Sequence, residues 1–155
     1  MYTGVGKINA AMTTANVIRE FAPDSIINFG SAGALRDDLK GLYEVTVFKQ
    51  RDMDATSLGF ALGETPYDDI ETISFSCKGL SCGSGDSFVD SMPDLNTDLV
   101  DMEAYAIAKV CKVMNTDFSC FKYISDNANE NAANDWTSNF RNGAKAFSSM
   151  INEDH

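Results

Sequence analysis

Apolar positions recur along this chain with two periods. In KINAAMTTANVIREF, residues 7–21, Ile8, Met12, Ala15, Ile18 and Phe21 fall at helical spacing, and Pro23 stops the run. SIINFG, 25–30, is a short apolar run closed by glycine and reads as a buried strand, with GSAGAL following as a loop. YEVTVFK, 43–49, alternates and reads as a second strand. Residues 52–69 are mixed and broken by Gly59, Gly63 and Pro66. TISF (72–75) and GLSCGSG (79–85) suggest further strand, the latter running into a glycine-rich loop. Residues 101–114 are apolar on nearly every side, as a buried helix would be, yet open with Asp101 and Glu103. DFSCFKYIS, 117–125, is an aromatic and apolar strand, and 126–135 is a polar loop or frayed helix start. A last helix over 136–151 puts Trp136, Phe140, Ala144, Phe147 and Ile151 on one face.

Strands alternating with helices predict an α/β architecture with a mostly parallel sheet. In such sheets ligands gather at the carboxyl ends of strands. Three strands here finish in small or acidic residues: FGSAG, CGSGD and YISD. A length of 155 residues fits one domain, 1–155, with a core large enough to need no disulfides.

Charge and cysteine content narrow the choice of partner. A net charge of -11 would repel a phosphate backbone, so no nucleic acid is expected. No run of 18 apolar residues predicts a membrane span, and MYTGVGKINAAM does not read as a secretory signal. Cys77, Cys82, Cys111 and Cys120 form no C-x-x-C pair and His155 is the only histidine, so no metal or other cofactor is expected. The four thiols are read as reduced and the protein as cytoplasmic.

Single motifs leave alternatives open. GVGK, 4–7, is a tight turn or a phosphate loop, but it matches neither P-loop nor dinucleotide spacing. GSAG, 30–33, is a plain turn or an anion-holding nest that adds the hydroxyl of Ser31. Phe88 is a core residue or a stacking platform for a flat ring. Asp126 is a helix N-cap or an acid at a strand tip, and Glu103 a dipole-stabilised helix start or an acceptor for a ligand.

Taken in order, TGVGKINAA, IINFGSAGAL, DMDATSLGF, GSGDSFV, VDMEAYAIAKVC and KYISDNANE cover almost the whole chain. Together they resemble the purine nucleoside phosphorylase and nucleosidase superfamily, and within it the 5′-methylthioadenosine/S-adenosylhomocysteine nucleosidases. That resemblance implies a single-domain three-layer sandwich and hydrolysis of an N-glycosidic bond to release adenine. It implies Asp126 as the acid that protonates purine N7, steadied by Ser125, and Ser31 and Lys122 near the attacking water, Lys122 standing where the family usually carries Arg. Phe88 would stack on the adenine and the Val89 backbone would read its edge. Met102 would pack against the sugar and Glu103 accept its hydroxyls. Asp101 is left facing either the loop or solvent. Leu58 and Pro66 would reach a neighbouring subunit's 5′-substituent pocket, implying a homodimer.

The family's chains begin with an earlier strand, whose Glu activates the attacking water. This sequence starts at MYTGVGK, so the first strands and that Glu are expected to be lacking, with hydrolysis impaired by about 10²–10⁴-fold. An exposed sheet edge, covered by oligomerisation or a rearranged N-terminus, is a further expectation. A phosphate-dependent phosphorylase and an inert nucleoside-binding protein remain the alternatives. Against the first, Lys7 and Lys122 are the only basic residues near the matched loops.

Overall fold

The structure, a computed structural model, describes residues 1–70, 72–75 and 78–153. The elements run α1 (Lys7–Phe21), β1 (Ser25–Ala34), β2 (Leu42–Gln50), a 3-10 turn (Thr56–Leu58), β3 (Thr72–Ser74), β4 (Leu80–Ser84), β5 (Leu99–Asp101), α2 (Ala104–Val113), β6 (Asp117–Asp126) and α3 (Ala132–Glu153). This is the expected α/β plan. The sheet order is β3-β2-β4-β5-β1-β6, and β2 also pairs with β6. The long parallel ladder β1–β6 and the parallel pairs β2–β4 and β4–β5 dominate. The pairs β1–β5, β2–β3 and β2–β6 are antiparallel. Because β2 pairs with β6 through Leu42–Val45 and with β4 through Val45–Gln50, the sheet closes on itself. Closure covers the β6 edge that an open sheet would present and leaves β3 as the edge strand. Helices α1 and α2 pack together on one side, and α3 lies against β6 and β1 on the other.

Several elements depart from the sequence pattern. GSAGAL, expected as a loop, is the carboxyl half of β1 as far as Ala34, because β6 pairs with it through Gly33. The three-residue β5 carries no periodicity long enough to detect, yet it is fully buried. Helix α2 begins at Ala104 rather than 101, and α3 begins at Ala132 rather than 136.

The largest surprise is α1, whose span is as expected but whose buried face is not. It buries Ala10, Thr14 and Ile18, while Ile8 and Met12 stand 72% and 61% exposed. Ala10, Thr14 and Ile18 form one i, i+4, i+8 stripe of mostly small side chains, which lets α1 approach the alanine-rich α2 closely. Helix α1 ends where Ala22 turns left-handed (φ 44°) and donates its N–H to Ile18 O at 3.0 Å, just before Pro23.

Helix α2 buries Ala104 through Ala108 and Cys111, as its apolar circumference predicted. In α3, Phe147 stacks on Phe29 with ring centroids 4.3 Å apart, whereas Trp136 and Ile151 of the expected face are partly exposed and Ala144 is exposed. The side chain of Phe140 and residue Cys77 lie outside what is described.

Candidate active site

Asp126 is the last residue of β6, and the register Gly33↔Asp126 and Gly33↔Val100 sets it one strand away from the end of β5. Its carboxylate is buried and held on both sides. Ser125 Oγ lies 2.8 Å from Asp126 Oδ2, and the Ala128 N–H donates to Oδ1 at 2.9 Å. A Cβ on Gly33 would come within 2.7 Å of Asp126 Oδ1, so only glycine leaves room for that carboxylate. Ser31, two residues earlier on β1, accepts a hydrogen bond from Trp136 Nε1 of α3 at 3.0 Å. The first turns of α3 are thereby tied to the same strand ends.

Beside this pair, β5 delivers Asp101, Met102 and Glu103 to the head of α2. The two carboxylates have different fates. Asp101 is buried and forms an ion pair with Lys122 Nζ at 2.8 Å, Lys122 itself being 1% exposed. Asp101 also accepts from Ser84 Oγ and, at 2.8 Å, from the Ala104 N–H, while Ser84 Oγ accepts the Tyr105 N–H at 2.8 Å. Burial pushes the Asp101 carboxyl up, but the Lys122 charge and these hydrogen bonds more than offset it and leave its pKa below the ordinary value. Burial pushes Lys122 down, and the Asp101 charge more than reverses that. The pair is therefore ionised, and Asp101 faces neither loop nor solvent. Lys122 reaches under Gly30, where an added Cβ would sit 3.0 Å from its Nζ.

Glu103 is half-buried, and its Oε1 accepts the Gly6 N–H at 2.8 Å. Its pKa is raised, mainly by burial and then by the nearby Asp101 charge, against the lowering effects of the Gly6 and Met102 amides and of Lys122. Met102 is half-buried next to it.

The third part is the loop after β4. Phe88 is 50% exposed and Val89 half-buried. An aromatic ring that stands half out of the protein on the loop after β4 is not part of the core and has a face open to stack on a flat ligand. Arg51, following β2, donates to Gly85 O (3.3 Å), Ser87 Oγ (3.2 Å) and Ser87 O, so its guanidinium grips the backbone of this loop.

Sequence similarity and structural likeness point the same way as this geometry. The Phosphorylase superfamily model matches residues 1–82 and 83–153. The chain is 36% identical over 157 residues to the 5′-methylthioadenosine/S-adenosylhomocysteine nucleosidase of Staphylococcus aureus, covering 84% of this chain and 68% of that one. The chain belongs to the phosphorylase superfamily, in its 5′-methylthioadenosine/S-adenosylhomocysteine nucleosidase family. A Helicobacter pylori nucleosidase mutant with 5′-methylthioadenosine in its active site matches with a TM-score of 0.89 at 26% identity, over 98% of this chain and 78% of that one. The Neisseria meningitidis nucleosidase in complex with methylthio-immucillin-A matches with a TM-score of 0.82 at 31% identity, over 96% and 76%.

Set in this nucleosidase family, the residues singled out from sequence fall into groups. Ser125 and Asp126 touch one another, Ser31 sits on the adjacent strand, and Met102 and Glu103 follow the neighbouring β5. Lys122 is brought close but spent on Asp101, so it reaches this cluster only through its field. Leu58, on the 3-10 turn, is 74% exposed, and Pro66 is half-buried in the loop that follows. No described contact ties either of them to Glu103 or Asp126. Sequence reasoning missed the role of Trp136, assigned to the core face, and the pairing of Asp101. The second left a readable trace. In β6, residues 118, 120, 122 and 124 are all buried, so a lysine at 122 requires a buried counter-charge.

Proposed function

We propose that this chain hydrolyses the N-glycosidic bond of 5′-methylthioadenosine or S-adenosylhomocysteine, releasing adenine and the 5′-thioribose. The observation that carries the reading is a buried, doubly held Asp126 at the end of β6 together with Glu103 just past the end of β5, with β1 between the two strands. The C1′–N9 bond breaks with its electrons moving to the purine, a poor leaving group unless protonated. Asp126 gives its proton to N7, with Ser125 holding the carboxyl in place. The sugar gains positive charge as the bond lengthens, and the Glu103 carboxylate, hydrogen-bonded to the ribose hydroxyls, opposes that charge. Water near Ser31 adds its oxygen to C1′ and releases its proton to solvent, which balances the one Asp126 gave to N7. Phe88 stacks on the adenine, the Val89 backbone reads its edge, and Met102 packs under the sugar.

The electrostatics favour water over phosphate as the attacking group. Lys122 is bound to Asp101, and Lys7 Nζ to Asp52, with Asp86 3.7 Å away. At the head of α1 the Gly6 and Lys7 amides already hold the carboxylates of Glu103 and Asp86, at 2.8 and 2.7 Å. A phosphate dianion would meet carboxylates where a phosphorylase must offer cations.

The working unit in this reading is a homodimer. Leu58, 74% exposed, and the half-buried Pro66 belong to the segment that would enter a neighbour's 5′-substituent pocket. No described helix is long and apolar enough to cross a membrane, and a cytoplasmic setting belongs to the same proposal.

Incubation with 5′-methylthioadenosine, with and without phosphate, decides the reaction. Phosphate-independent release of adenine supports hydrolysis. Strict phosphate dependence identifies a phosphorylase, and binding without release identifies an inert nucleoside binder.

A further inference from the structure

The GVGK turn is not used by the chemistry above, yet it touches both halves of the site. Gly6 has φ 91° and ψ 159°, a conformation open to glycine, and it aims its N–H at Glu103 Oε1. The next amide, that of Lys7, donates to Asp86 Oδ1. Asp86 belongs to the loop that presents Phe88. The ring of contacts is closed by Asp52, which accepts the Asp86 N–H at 2.9 Å and pairs with Lys7 Nζ. Two consecutive amides of one turn thus grip the sugar-side carboxylate and the base-side loop, with only the φ and ψ of Gly6 between them.

We infer that Asp86 and Asp52 are positioning residues which, through the Gly6–Lys7 turn, couple occupancy of the base subsite to the set of Glu103 for the sugar. This rests on the proposed assignment of Phe88 to the base and Glu103 to the ribose. The physical basis is shared ordering. A base stacked on Phe88 immobilises residues 85–88, and Asp86 passes that order to Lys7 and Gly6. Glu103 is then held by Gly6 before the sugar arrives, so the sugar does not have to order it. Coupling of this kind is reciprocal, so each reaction product must strengthen binding of the other by the same factor.

The test is a titration of the purified protein with 5-methylthioribose, with and without saturating adenine. The wild-type protein should bind the sugar about fivefold or more tightly when adenine is present. In Asp86→Ala that ratio should fall towards one, while Asp86→Asn, which keeps an acceptor for the Lys7 amide, should retain most of it. Asp52→Ala cuts the other arm and is read in the same way. A general loss of structure would weaken each ligand alone, whereas loss of the strap changes the ratio. A ratio of one in the wild type, an unchanged ratio in Asp86→Ala, or no adenine binding at all overturns the inference. Lack of turnover in a wild type that still shows the coupling counts against the hydrolase reading and leaves this one standing.

Discussion

Asp101→Asn should destabilise the folded chain by about 3–5 kcal/mol, because it leaves a buried lysine without its counter-charge. The substitution keeps a carbonyl oxygen for the Ala104 amide or Ser84, so the loss is concentrated on Lys122. That side chain is enclosed by the sheet, with the buried thiols of Cys82 and Cys120 close enough to feel its charge. Lys122→Met should cost a similar amount, by stranding Asp101 instead. The double variant removes both charges and should cost less than the two singles together, with a coupling of about 2 kcal/mol or more. For a chain of this size each kcal/mol corresponds to about 2–4 °C, so each single variant should melt about 6–20 °C lower.

The pH dependence gives an independent check. In the wild type the depressed Asp101 contributes stability above its ordinary carboxylate range, lost as pH falls through its folded pKa. The raised Lys122 contributes stability fully present below the ordinary lysine value, lost only at higher pH. Stability should therefore be flat in this respect across neutral pH. Without Asp101, burial lowers Lys122, the unfolded chain binds the extra proton, and stability should rise with pH between about 6 and 10. Urea unfolding followed by circular dichroism at pH 6 and pH 9 reads both effects. A loss below about 1 kcal/mol in Asp101→Asn, or strict additivity in the cycle, would refute the buried-pair reasoning.

Other outcomes follow from the same geometry. Asp126→Asn should lower adenine release by about 10²–10⁴-fold while sparing binding of 5′-methylthioadenosine, and full activity in this variant would remove the acid assignment. Glu103→Gln should lose activity yet be at least as stable as the wild type at pH 7. The folded Glu103 holds its proton more tightly than the unfolded chain does, so its ionisation costs stability as pH rises through the carboxylate range. A lower melting temperature for Glu103→Gln at neutral pH would contradict this. Gly33→Ala should impair turnover more than it impairs folding, since the new methyl would press on Asp126 Oδ1, and steady-state kinetics beside a melting curve separates the two. Burial pushes the Cys111 thiol up to about 11 and that of Cys120 to about 12, so mass mapping after brief alkylation at pH 8 should find neither modified, nor Cys82.

Much of this molecule was legible in one dimension. The α1 span, the strands at 25, 43, 80 and 117, and the buried α2 follow from period and breakers, because backbone geometry repeats and the sequence repeats with it. The ordered motifs carried the family, and small residues before an acidic one marked the strand end that carries Asp126, whereas the end of β5 that carries Glu103 left no such mark. Packing and closure were decided only in three dimensions. Which stripe of α1 is buried depends on the alanine surface that α2 happens to present, which no property of α1 alone can encode. Strand β5 exists because β4 and β1 flank it, and GSAGA is strand because β6 runs alongside. Asp101 and Glu103, two residues apart and chemically alike, became a buried ion-paired carboxylate and a half-buried one that accepts the Gly6 amide. Lys122 arrives from a strand 21 residues further along the chain and can neutralise only one of them.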